Sequence, residues 1–252
     1  MPRDSNQTAS GEPGAVHKKF DDWYFKFYPY LNRHVPFRQM AGRDVLEIGL
    51  GYGTVSQKIA ESGARYRGLD IAAGPVAMVQ HRCNQIGARD AAAVQGSVLE
   101  APFEAGSFDW VVAIGCLHHT GNLARAIGEV HRVLRPGGEA MIMVYSAASY
   151  RQYSADPIST WKRHLSSKPY TAPTAAEWER GAYDRRLDGT AAPQTEFVTK
   201  RELASLCGSF SKVVITSENI GAEGPLHYVP RAVSCRVLGP IVGLDLYARL
   251  QK

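Results

Sequence analysis

Two carboxylates bracket a glycine turn in the first third of the chain. Val45-Leu46-Glu47-Ile48 is a short apolar run closed by Gly49-Leu50-Gly51-Tyr52-Gly53, and Asp70 follows Arg65-Tyr66-Arg67-Gly68-Leu69. The run reads as a buried parallel strand ending at Ile48, where the chain turns sharply above the sheet edge. Glycines, lacking Cβ atoms, let a ligand lie against that turn. Asp70 stands about twenty residues beyond Gly51, where the second strand of such a unit presents a carboxylate to two ribose hydroxyls. The spacing suits an adenosine. The same glycine pattern also occurs in ordinary turns and in dinucleotide sites. Glu47 shifts the balance, because a pyrophosphate at a helix N-terminus wants no negative charge beside it. An acid there suits a cationic ligand carrying an α-amino group and a sulfonium; its other reading is a solvated residue at a strand end.

A second group of side chains follows the expected fourth strand. His118 and His119 stand where a crevice opens outside the carboxyl ends of the strands. Histidine titrates near neutrality, so His118 is the first candidate for a base that takes a proton from a hydroxyl, an amine or an acidic carbon. His119 is the lesser candidate, and either ring could simply bond a neighbouring loop. Tyr145, at the end of the fifth strand, reads as a donor or orienter, or as a buried ring. Arg151 and Tyr153 are placed to meet an acidic group on a substrate. Within Phe20-Asp21-Asp22-Trp23-Tyr24-Phe25-Lys26-Phe27-Tyr28-Pro29-Tyr30-Leu31, Tyr24 and Tyr28 are candidate pocket-lining residues, with packing in the core as the alternative.

The first motif and its acid resemble those of class I S-adenosylmethionine-dependent methyltransferases of the small-molecule type. Later segments are similar in order and spacing. Gln95-Gly96-Ser97-Val98-Leu99-Glu100-Ala101-Pro102-Phe103 resembles the stretch flanking adenine. Ser107-Phe108-Asp109-Trp110-Val111-Val112 through Leu117-His118-His119 resembles the fourth strand and its exit, and Val133-Leu134-Arg135-Pro136-Gly137-Gly138-Glu139 the turn into the fifth. The likeness covers residues 40 to 145. It implies S-adenosylmethionine as cofactor and S-adenosylhomocysteine as product. Glu47, Gly49, Gly51, Tyr52, Gly53, Asp70, Ile71, Ser97, Val98 and Gly115 would bind it, Asp70 at the ribose and Ser97 at the adenine. Ser97 departs from the family, which often has Asp there; a neutral hydroxyl makes a weaker bond to the adenine amino group. The implied fold is α/β, a doubly wound seven-stranded Rossmann-like sheet of order 3-2-1-4-5-7-6 with the last strand antiparallel.

The elements that must hold these groups follow from pattern. Helices are expected over 54–62, 77–87, 122–134 and 230–238, strands over 91–95, 108–114, 140–145, 212–217 and 243–250. Thr199-Lys200-Arg201-Glu202 reads as a capping box. Residues 1–15 read as a disordered tail and 16–252 as one domain, with an N-terminal cap at 17–40 whose short helices break at Pro29. The alternation fails over 146–196, where Pro157, Pro169, Pro173 and Pro193 stand among aromatic residues; a lid-like insertion with short helices is expected.

Composition sets outer limits. The net charge of +5 is modest and the Lys and Arg residues are dispersed, apart from a basic bias between Arg151 and Arg201 that includes Arg185 and Arg186, so no nucleic-acid partner is expected. No apolar run spans a membrane and no secretory signal is evident, which gives a cytoplasmic expectation without a membrane partner. Cys83, Cys116, Cys207 and Cys235 form no C-x-x-C pair, so neither zinc nor a disulfide framework is expected. The leading expectation is methyl transfer to O, N or C of a small organic molecule, with a secondary metabolite as the substrate class. A protein or RNA methyltransferase, a nucleotide-dependent reductase and a non-catalytic cofactor binder remain as alternatives.

Overall fold

The computed structural model describes residues 13–166, 168, 170, 171, 175, 177–183, 193–221 and 224–252. Most of the expected tail, and Pro169, Pro173, Arg185 and Arg186 of the expected insertion, lie outside the described residues. In chain order come α1 (Pro13–Phe27), α2 (Leu31–His34), β1 (Asp44–Ile48), α3 (Thr54–Glu61), β2 (Arg65–Asp70), α4 (Ala73–Gln85), β3 (Ala92–Gln95), β4 (Phe108–Ile114) and α5 (Leu123–Val133). They are followed by β5 (Leu134–Tyr145), α6 (Tyr150–Ala155), α7 (Pro157–Leu165), α8 (Glu177–Tyr183), α9 (Lys200–Leu206), β6 (Lys212–Glu218), α10 (Arg231–Val237), α11 (Gly239–Val242) and β7 (Asp245–Gln251).

One sheet of seven strands has the order β3-β2-β1-β4-β5-β7-β6. β1 lies between β2 and β4, parallel to both, and β7 runs antiparallel between β5 and β6. The chain order reverses between β1 and β4, so a crevice must open above their carboxyl ends. Alternation along the strands divides the core. Leu46, Ile48, Val111, Ala113, Ile142 and Val144 pack on one side with the Leu123, Ala126, Ile127 and Val130 stripe of α5. Val45, Val112, Met141 and Tyr247 face the other way, against Tyr30 and Leu31, Ile59 of α3, and Val79 and Cys83 of α4.

Several boundaries differ from the sequence reading for local reasons. The N-terminal segment holds one helix of 15 residues that starts at Pro13, inside the expected tail, followed beyond Pro29 by the four-residue α2. α4 starts four residues early, because Pro75 lies in its first turn, where a backbone N–H has no intrahelical partner to lose. β5 starts at Leu134, before the Pro136-Gly137-Gly138 turn, because Leu134 already pairs with Phe108 and the register shifts before Trp110 meets Glu139. The capping box is formed, with Thr199 and Glu202 bonding each other's backbone N–H.

Two buried polar groups fasten α1 and the glycine turn to the second core. Arg82 of α4 is 1% exposed and bonds Asp21 of α1 at 2.8 and 3.1 Å; Thr54 Oγ1, at the start of α3, donates to Asp21 at 2.6 Å. Glu47 of β1 is 4% exposed, and Tyr66 Oη donates to its carboxylate at 2.6 Å. Burial pushes the Glu47 carboxyl up to about 7, against the opposing pull of the Ser56 and Tyr66 hydroxyls. Asp21→Ala leaves the Arg82 guanidinium buried beside Gln57 alone, and is expected to lower stability by about 2–4 kcal/mol in urea unfolding, with part recovered on adding Arg82→Met. For Glu47 the native value lies above the unfolded one, so its contribution is full below about pH 4 and is lost as pH rises through 7. Glu47→Gln should therefore gain on the parent chain between pH 5 and 8, by at most about 3 kcal/mol, read as a widening difference in thermal midpoint.

Candidate functional site

The glycine turn sits at the carboxyl end of β1, and each glycine answers a different need. Gly49 has φ +77°, and a Cβ there would run into the side chain of Cys116 at the exit of β4. Gly53 precedes α3, and a Cβ would lie 2.9 Å from Arg82 Cδ. Only Gly51 faces open space, with nothing within 4 Å of a built Cβ. The turn is tied down by main-chain groups: Gly49 N–H donates to Leu69 O at 2.9 Å, and Cys116 Sγ donates to Ile48 O at 3.0 Å. Cys116 itself is half-buried, and desolvation, with Asp70 and Glu47 nearby, raises the pKa of its thiol, which disfavours the nucleophilic thiolate.

Above the turn is a crevice of about 430 Å³, within the range of small-molecule sites. Gly49, Gly51 and Asp70 form one wall, Gly96 to Leu99 a second, and Ile114, Gly115, Cys116, His119 and Thr120 a third. Both Asp70 oxygens accept backbone N–H bonds, Oδ2 from Leu50 at 2.8 Å and Oδ1 from Ala72 at 2.9 Å. Those bonds fix the carboxylate at the crevice edge, and each oxygen keeps a lone pair for a hydroxyl. Ser97 Oγ accepts Leu99 N–H at 3.2 Å and retains one acceptor site. A wider cleft of about 580 Å³ near Asp44, Arg65 and Arg89 lies at the opposite, amino edge of the sheet, where the Arg65–Asp44 ion pair lines it.

Gly49, Gly51, Asp70, Ile71, Ser97, Val98 and Gly115 all line the crevice, as does His119. Glu47, Tyr52 and Gly53 do not. Glu47 points into the second core because β1 alternates, placing it beside Val45 and away from Ile48; Tyr52 is 67% exposed and its ring packs on Phe20 of α1 at 5.0 Å. Tyr24 and Tyr28 pack against the same second core, their rings 4.9 Å apart, and neither lines the crevice. Leu99, Cys116 and Thr120 are lining residues that sequence reasoning did not assign; their only signal was adjacency to Ser97 and His119.

The two histidines separate sharply. His118 is wholly buried between His119 and Tyr145, both ring centroids 4.1 Å away, and among the described residues neither of its nitrogens has a hydrogen-bond partner. Burial, with His119 beside it, holds its pKa well below the ordinary histidine value, so the ring is neutral. His119 reaches the crevice, and its Nδ1 lies 2.9 Å from the Gln194 carbonyl. A carbonyl only accepts, so Nδ1 is the donor in that bond. Tyr145 joins an aromatic group with Tyr183 at 4.7 Å and Phe197 at 5.9 Å, and the Arg151 guanidinium lies 4.9 Å from the Tyr183 ring centre.

Comparison with known proteins agrees with this geometry. A family model described as a methyltransferase domain matches residues 46–142. Demethylmenaquinone methyltransferase of Tropheryma whipplei is 27% identical over 148 residues, 55% of this chain and 61% of the relative. Phthiotriol/phenolphthiotriol dimycocerosates methyltransferase 1 of Mycobacterium ulcerans is 28% identical over 189 residues, 74% of this chain and 65% of the relative. The chain thus spans less than two thirds of the length of these curated relatives. Among solved structures, Burkholderia thailandensis 1,6-didemethyltoxoflavin-N1-methyltransferase, seen with its substrate and S-adenosylhomocysteine, superposes with a TM-score of 0.53 at 20% identity over 100% of this chain and 93% of that one. The methyltransferase-domain match over residues 46–142, the strand order and the crevice agree with one another, and the fold is that of class I S-adenosylmethionine-dependent methyltransferases.

Proposed function

We propose that this protein moves the methyl group of S-adenosylmethionine to O, N or C of a small, largely apolar organic acceptor. The observation that carries the reading is the presence of the Asp70 carboxylate and the His119 imidazole on two walls of one crevice. The residues present fit the cofactor: Gly51 leaves backbone open to approach, Asp70 is fixed for a ribose, and Val98 and Leu99 offer an apolar wall to an adenine. The named activities of the relatives, which act on a menaquinone precursor and on phthiotriol lipids, support an apolar acceptor.

Bound there, the cofactor supplies an electrophilic methyl on a sulfonium whose leaving group is a neutral thioether. The chain's task is alignment and the handling of one proton. Asp70 and the glycine turn hold the adenosine end. His119 takes the acceptor's proton on Nε2, while the Gln194 carbonyl keeps Nδ1 protonated and the ring oriented. The base is thereby assigned to His119 in preference to His118, whose buried neutral ring forms the wall behind it together with Tyr145. Tyr183, Phe197 and Arg151 extend that wall on the acceptor side.

Calorimetry with S-adenosylhomocysteine and turnover with methyl-labelled cofactor over a panel of quinols, phenols and amines test these roles. Asp70→Ala should weaken S-adenosylhomocysteine binding roughly 10–100-fold, as expected on losing hydrogen bonds to a charged group. His119→Ala should leave that binding intact and slow turnover about 10²–10⁴-fold. Unchanged binding in Asp70→Ala would remove the ribose assignment, and cofactor binding without transfer to any acceptor would make the chain a binder.

A further inference from the structure

The carboxyl edge of the sheet carries a second surface beside the crevice. β5 and β6 are both antiparallel to β7, so they end at the same edge. α7 follows β5, and α10 and α11 join β6 to β7, which places all three helices off that edge. Ile158, Trp161 and Leu165 recur at helical spacing along α7, each more than half exposed. Val233, Val237 and Ile241 continue the pattern through α10 and α11, again each more than half exposed. Their inner positions are already used, with Thr160, Ser234 and Cys235 buried.

Adjacent residues of α9 bring the two stripes together. Arg201 Nη1 donates to the carbonyls of Leu165 and Ser166 at 3.1 Å each, and Lys200 Nζ donates to the Pro240 carbonyl at 3.1 Å. Tyr228, just before α10, is 87% exposed, and Trp23 of α1 stands nearby because Arg231 Nη1 donates to the Phe27 carbonyl. None of α7, α10 and α11 contains Asp or Glu. α7 ends in Lys162-Arg163-His164 and α10 carries Arg231 and Arg236; of the nearby acids, Glu202 pairs with Arg163 and caps α9, and Asp156 caps the start of α7. A contiguous apolar surface of this kind marks an interaction site. Its chemistry is that of a lipid interface: aliphatic side chains enter the acyl boundary, Trp and Tyr sit at headgroup depth, and cations meet anionic headgroups.

We propose that this rim docks on an anionic lipid bilayer and holds the mouth of the crevice against the membrane surface. Among the described residues no helix is long and apolar enough to cross a membrane, so the contact is peripheral. The docking is independent of methyl transfer and is read without turnover. The full chain is sedimented with vesicles of phosphatidylcholine alone and of phosphatidylcholine with phosphatidylglycerol. Binding to the anionic vesicles is expected, with little to the neutral ones. Lys162→Glu/Arg236→Glu should weaken it by about tenfold or more, and Trp161→Ser/Ile241→Ser by on the order of tenfold, with unchanged thermal midpoints. Absence of binding to either vesicle, equal binding to both, or binding indifferent to the two double variants would overturn the proposal. So would light scattering that shows a dimer of the parent chain dissociated by Trp161→Ser/Ile241→Ser, which would give the face to a second copy.

Discussion

Everything at the carboxyl edge depends on how tightly the turn after β1 is pressed against its neighbours. Leu50 N–H is held by Asp70, Gly49 N–H by the Leu69 carbonyl, and the Ile48 carbonyl by Cys116, so the turn is pinned to both flanking strands. A Cβ at Gly49 would run into Cys116 at the exit of β4, and one at Gly53 into Arg82 of α4. The consequence for a ligand is economy of motion. The carboxylate that meets it is already spending half its bonding capacity on the turn that the ligand must lie against, so the two cannot move apart. Preorganisation of this kind lowers the entropy lost on binding.

The strands and α5 were legible because their signals were local and redundant: apolar runs of strand length, glycines at their ends, and a continuous amphipathic stripe; the order of the strands came with the family resemblance. Asp70 was legible by its distance from the turn. Glu47 misled for the opposite reason. Its proximity to the glycines in sequence says nothing about which face of β1 it occupies, and the pleat sends it to the core, where Gly68 leaves room for the Tyr66 hydroxyl to reach it. The histidine pair shows the same limit. Two neighbours in a tight turn differ in burial, and the one that meets the crevice is held by the Gln194 carbonyl, 75 residues along the chain.

The same distance in the chain explains why the aromatic group beside the histidines resists sequence reasoning. Tyr145, Tyr183 and Phe197 come from β5, α8 and the segment before α9; Val198 bridges to Ser146, and Tyr183 Oη lies 2.7 Å from Ser149 Oγ. Long-range packing of aromatic rings leaves no spacing rule behind it. The glycine turn and Asp70 come from one βαβ unit and are written nearly contiguously; the aromatic group is assembled from three separate stretches.

Arg82 joins what the chain order separates. Its guanidinium sits beneath Gly53, bonds Gln57 of α3, and holds Asp21 of α1, which in turn takes the Thr54 hydroxyl. Helix α1, the turn and α4 therefore behave as one mechanical piece. Exchanging the N-terminal aromatic helix for that of another methyltransferase to alter acceptor choice would transplant only one end of a shared buried charge. A working chimera has to carry residue 82 and its bed in α4 across together with the helix.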